Sequence, residues 1–109
     1  MRPIPKRVLI HSATLMHETA PDIWGNSGTT DTDLTFIRID PSDKLVNTSE
    51  NQERILESLM LYDFKNSRPL NQTFEKNDKL LFDGKTYTII SIEKCHDRNS
   101  LHHLEIGLV

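Results

Sequence analysis

Asp83-Gly84, set between "KLLF" (79–82) and "KTYTIISIEKC" (85–95), constrains this chain more than any other pair of residues. A two-residue type I′ turn needs positive φ at both central positions, and Asp-Gly supplies that at little cost, so the stretch reads as a β-hairpin. The turn pairs Phe82 with Lys85 and Leu80 with Tyr87. A second hairpin follows, with residues 96–100 as its loop and Cys95 opposite Leu101. On that register Ile92 faces Leu104, Ile90 faces Ile106 and Thr88 faces Leu108, while Glu93 faces His103 and Ser91 faces Glu105. Apolar meets apolar and polar meets polar, as a specified register requires. Tyr87 and Ile89, with Leu80 and Phe82, make the opposite face apolar too, and a strand apolar on both faces is covered on both. The cover is open at this point: further strands closing a barrel, a helix from residues 49–60, or a neighbouring subunit.

Upstream, Pro3 and Pro5 hold residues 1–6 as an extended arm, because each proline drives its predecessor out of helical geometry. The β-branched and apolar run "RVLIHSATLMH" (7–17) predicts a strand. "ETAPDIWGNSGTTDTD" (18–33) reads as one long polar loop, mobile when the protein is alone. "LTFIRID" (34–40) predicts a strand with Leu34, Phe36 and Arg38 on one face and Ile37 and Ile39 on the other, ended by Pro41. Residues 49–64 are ambiguous. Ser49 and Gln52 have capping-box spacing and Ile55, Leu56, Leu59 and Met60 have helical spacing, yet "LMLYDF" fits a strand. These elements make a mainly β chain: a small antiparallel β-barrel or sandwich of about six strands with long loops and room for one short helix.

A length of 109 residues predicts one domain spanning 1–109. The net charge of −3 offers no basic face for general nucleic-acid binding. Cys95 is the only cysteine, so no intramolecular disulfide forms, which suits a reducing compartment. No apolar run approaches the ~20 residues of a membrane-spanning helix, and the N-terminal stretch lacks the pattern of a signal peptide.

The residues that suggest chemistry gather near the C-terminus: Cys95, His96, Asp97, His102 and His103. A zinc site needs three or four converging ligands. The register above points His102 inward beside Leu104 and His103 outward beside Glu93, so the rings diverge, and the spacing matches no recognised zinc pattern. Cys95 and His96 are strand neighbours whose side chains diverge, so they make no nucleophile–base pair. "GNSGTTD" (25–31) lacks the lysine of a phosphate loop. Asp31 with Asp33, and Asp78 with Asp83, lack the ligand spacing of a calcium loop. The expectation is no catalytic residue, no metal site and no cofactor. Trp24, beside Ile23 in the long loop, either folds back on the core or anchors an interface. With Tyr87 on the second apolar face, Trp24 and Ile23 are the interface candidates.

"YDFKNSRP" (62–69), "FEKNDKLLFDGKTYTI" (74–89) and the terminal "LHHLEIGLV" (101–109), in that order, resemble the minor capsid or head-completion proteins of tailed bacteriophages and prophages of Gram-positive bacteria. The resemblance covers residues 61–109 well and the first half in order only. It implies a strand, not a helix, from about Ile55. It also implies a structural, non-enzymatic role in the head–tail connector, as a head-closure or stopper ring joining portal and adaptor to the tail. The implied partners are the portal/adaptor ring, the tail completion protein and further copies of the chain, with no membrane and with packaged DNA only nearby. The implied location is the virion, after assembly in the host cytoplasm. The competing reading is a small β-barrel binding module or accessory protein with a pocket near Cys95, His96 and His102.

Overall fold

Asp83 and Gly84 have φ of 52° and 76°, and the strands they join pair Phe82 with Lys85 and Leu80 with Tyr87, as the type I′ turn requires. The computed structural model describes residues 2–19, 23–25, 28–47, 52–98 and 100–109. Its strands are β1 (His11–Glu18), β2 (Thr29–Pro41), β3 (Leu45–Asn47), β4 (Glu53–Ile55), β5 (Ser58–Asp63), β6 (Lys79–Phe82), β7 (Lys85–Asp97) and β8 (Ser100–Leu108). Six of them close a barrel in the order β1-β2-β5-β8-β7-β6, and β3 and β4 form a separate two-stranded sheet. Every paired neighbour in the barrel is antiparallel, including the closing pair β1 and β6. The interior holds Leu34, Ile37, Met60, Tyr62, Leu80, Ile89, Ile106 and Leu108, all fully buried. Closure therefore supplies the cover for the second apolar face of β7.

The second hairpin is tighter than its sequence suggests. β7 runs to Asp97 and β8 begins at Ser100, so the expected 96–100 loop shrinks to Arg98, at φ 54°, and position 99, which lies outside the described residues. Cys95 pairs with His103, not Leu101; Ile92 with Ile106, not Leu104; Glu93 with Glu105, not His103; and Ser91 with Gly107, not Glu105. A slip of two residues keeps every side chain on its own face, so the alternation of apolar and polar residues cannot detect it. The register shifts between Cys95 and His96 and between Ile89 and Ser91. Such bulges each absorb one residue without a partner. The second shift, at Ile90, passes the inward face from Tyr87 and Ile89 to Ile92.

A bulge also overturns the expected facing of β2. Leu34, Ile37 and Ile39 all point into the core, whereas Phe36 is 40% exposed with φ of 54°. Positive φ is uncommon for an aromatic residue and turns two successive side chains outward. The backbone of Thr35, released from β1, pairs instead with Arg68. Beyond it, β2 changes partner from β1 to β5 at Ile37.

Three other boundaries move. Residues 5–9 form turns, with Val8 N–H donating to the Pro5 carbonyl and Leu9 N–H to that of Lys6, so the first strand starts at His11 rather than residue 7. The expected loop 18–33 is shorter, because Glu18 pairs with Thr29 and Thr19 closes on Gly28. Thr29, Thr30 and Thr32, read as loop, are β-branched and sit well in a strand. Residues 53–55 and 58–63 are strands, and no helix occurs among the described residues; the capping position Ser49 lies outside them.

The stretch "YDFKNSRP" is built around Asp63, which is fully buried. One carboxylate oxygen accepts the N–H of Ile4 at 3.1 Å, and the other accepts those of Lys65 and Asn66 at 3.1 and 2.8 Å. Ser67 Oγ accepts the Asp63 N–H and donates to the Phe36 carbonyl, tying this turn to the β2 bulge. Gln72 N–H donates to the Tyr62 hydroxyl, which donates to the Pro69 carbonyl, and Phe74 packs edge-on to the Tyr62 ring. The β5–β6 connection is thereby pinned to the barrel.

Removing the Asp63 carboxylate strands three backbone donors and should cost about 3 kcal/mol or more for Asp63→Ala. Urea denaturation midpoints, with the slope unchanged, check this. A Cβ added at Gly107 would collide with Ser91 Oγ and stand 2.6 Å from a Leu56 methyl. Gly107→Ala should therefore lose about 1–3 kcal/mol by overpacking, and shortening the obstacles in Gly107→Ala/Leu56→Ala/Ser91→Ala should show coupling between the sites rather than additive losses.

Candidate functional sites

Among the described residues, the tip of the β1–β2 hairpin carries the most exposed of the large apolar side chains. Ile23 is 92% and Trp24 80% exposed, and Gly25 follows with φ of 79°. The indole thus stands outside the core cluster. Tyr87 is placed differently: it is half-buried against the core, and Lys85 Nζ lies 5.0 Å from the centre of its ring. A second apolar pair, Leu45 and Ile55, lies directly opposite across the β3–β4 ladder, 54% and 64% exposed.

On the outer face of β7 and β8 the corrected register assembles a polar group that the expected one dispersed. The Cys95 thiol donates to Glu105 Oε2 at 3.0 Å, and His103 Nε2 lies 3.4 Å from the same oxygen. Burial, followed by the hydrogen bond to Glu105 and the charges of Glu105 and Glu93, pushes the thiol up to about 11. The Glu105 carboxyl is held below its ordinary range, first by the Cys95 hydrogen bond and then by His103 and Lys44. Lys44 itself pairs with Glu93 at 3.0 Å, and that bond raises its pKa. A thiol held this firmly in its protonated form is a poor nucleophile. His96 is not part of the group. His102 turns instead toward the N-terminal arm, with Nε2 2.6 Å from the Arg2 carbonyl oxygen. A hollow of about 300 Å³ includes His102 and Leu101 in its lining but neither Cys95 nor His96.

The second polar group joins elements distant in sequence. His17 Nδ1 lies 2.7 Å from Asp78 Oδ1 and 3.8 Å from Glu75 Oε2. Asp78 is buried; its other oxygen accepts the Glu75 N–H, and its carbonyl accepts the Ile89 N–H. One residue therefore links β1, β7 and the β5–β6 connection. The hydrogen bond to Asp78, then the charges of Asp78 and Glu75, raise the His17 pKa against a smaller opposing effect of burial. Sequence reading missed Glu105, Lys44 and the His17–Asp78 pair. His17 and Asp78 are separated by 61 positions, and no local spacing rule spans that distance.

A comparison with protein-family models matches residues 5–108 to one described as "Minor capsid protein". No curated protein matches the chain.

The raised pKa fixes the sign of a pH effect. Protonated His17 binds Asp78 better than neutral His17 does, so the pair's contribution to stability is present below the ordinary histidine value of 6.5 and fades as pH rises through the higher folded-state value. Melting temperatures of the wild type and His17→Gln should differ most just below pH 6.5 and converge in mild alkali. The difference should also shrink in high salt, since His17 is partly exposed.

Proposed function

Since this chain belongs to the minor capsid protein family, a phage structural family, we propose that it is a head–tail connector component, a head-closure ring that joins the portal and adaptor to the tail. Membership implies a structural role in the virion and contacts with other phage structural proteins. The finer placement rests on one observation: the exposed Ile23–Trp24 tip of the β1–β2 hairpin. A large aromatic held out in solvent gains most by docking, because removing its apolar surface from water contributes about 25 cal/mol per Å² and tryptophan is enriched where binding energy concentrates. The rigid barrel presents the tip, and the partner supplies the pocket. Tyr87, half-covered and packed on the core, has less surface to offer, so the loop pair carries the reading. Ring formation by copies of the chain, in the virion but not in dilute solution, is part of the same proposal.

Trp24 is the sole tryptophan, so its fluorescence reports this loop alone. The free protein should emit as a solvated indole, with a blue shift on adding purified portal–adaptor complex. Trp24→Ala should leave thermal stability within about 0.5 kcal/mol of wild type, as surface substitutions do, yet weaken docking by about 2 kcal/mol or more and leave heads and tails unjoined. Normal joining by Trp24→Ala particles would show that another surface makes the contact.

A further inference from the structure

Hydrogen bonds run from the N-terminal arm through His102 and His103 to the polar group on the outer face of β7 and β8. His102 Nε2 lies 2.6 Å from the Arg2 carbonyl oxygen. That oxygen can only accept, so Nε2 donates, and in the neutral ring Nδ1 is left bare. His103 Nδ1 lies 2.8 Å from this bare nitrogen, so it is the donor. The other ring nitrogen of His103, Nε2, lies 3.4 Å from Glu105 Oε2. An imidazole nitrogen, a carboxylate oxygen and the Cys95 sulfur thus converge: the three ligand atoms lie within 4.8 Å of one another.

We propose that Cys95, His103 and Glu105 form a binding site for a divalent cation of the zinc type. Bond lengths of about 2.0–2.3 Å set tetrahedral ligand atoms roughly 3.3–3.7 Å apart. The observed sulfur–oxygen and nitrogen–oxygen separations of 3.0 and 3.4 Å need only a small expansion to admit the ion. Thiolate and imidazole select zinc over magnesium or calcium. Binding breaks the Cys95 S–H bond, forms the metal–sulfur bond and releases the proton to solvent. The two negative ligands then balance the dication, and water takes the fourth position. The run from the Arg2 carbonyl through His102 to His103 Nδ1 orients the imidazole, as outer hydrogen bonds do at metal centres. Lys44 approaches this face but is occupied by Glu93, which limits its repulsion. His17, Glu75 and Asp78 are equally close together, but that group has no thiolate to select zinc.

The test uses the full chain, freed of metal with a chelator and titrated with cobalt(II) and then zinc(II). One cobalt per chain should bind, with a sulfur-to-cobalt charge-transfer band and the intense visible bands of tetrahedral coordination, and zinc should displace it. Cys95→Ser should abolish the charge-transfer band. Glu105→Gln should weaken binding at least about tenfold, and His102→Ala, acting through the orientation of His103, by roughly 10–100-fold. His96→Ala and His17→Gln should bind as wild type does. Melts in chelator identify any variant that fails to fold, and Glu105→Gln serves where Cys95→Ser does not. Absence of stoichiometric cobalt, a weak octahedral spectrum, or tetrahedral binding that survives Cys95→Ser would overturn the site.

Discussion

The Asp63 carboxylate holds together parts of the chain that have no ladder in common. Its oxygens collect N–H groups from the N-terminal arm and from the turn after β5, and through Ser67 the same turn reaches the backbone of Phe36. A buried carboxylate is tolerable only when such donors replace the lost water. Here the requirement works in both directions: the charge demands donors, and meeting that demand fixes the arm, the β2 bulge and the start of the β5–β6 connection. Tyr62, one residue earlier, extends the arrangement to Pro69 and Gln72.

The sequence revealed the strands better than their pairing. The Asp83–Gly84 hairpin was legible because turn chemistry and register are local to a few residues. The β7–β8 register was not, since side-chain alternation has a period of two and is blind to a slip of two. Bulges at Ile90 and His102 leave no compositional mark, and neither does the positive φ of Phe36; each is imposed by the need to curve a sheet until it closes. The threonines of β2 show the converse error, in which polarity hid residues whose branched side chains favour extended backbone.

The polar groups followed the pairing. Cys95 and the histidines were visible as a cluster from the start, but whether they diverge or converge depends on which residue stands across the ladder. With His103 opposite Cys95, and Glu105 two residues further on the same face, the outer surface of β7 and β8 gains a constellation that the other register lacked. His17 and Asp78 meet only because β6 closes the barrel against β1, a fact of topology that no short motif carries. For Trp24 the sequence left core and interface equally open, and its 80% exposure decides only against the core.

Closure also decides how copies of this protein can meet. Each barrel strand has a neighbour on both sides, although β2 leaves β1 for β5 at Ile37 and β7 leaves β6 for β8 after Thr88, so these two long strands are laddered on one side at a time. β3 and β4, three residues each, pair only with each other, and edges that short make poor templates for strand addition. A partner in the virion then meets mainly side chains and loop shape, so what it recognises is set by sequence rather than by a backbone pattern that could repeat without end.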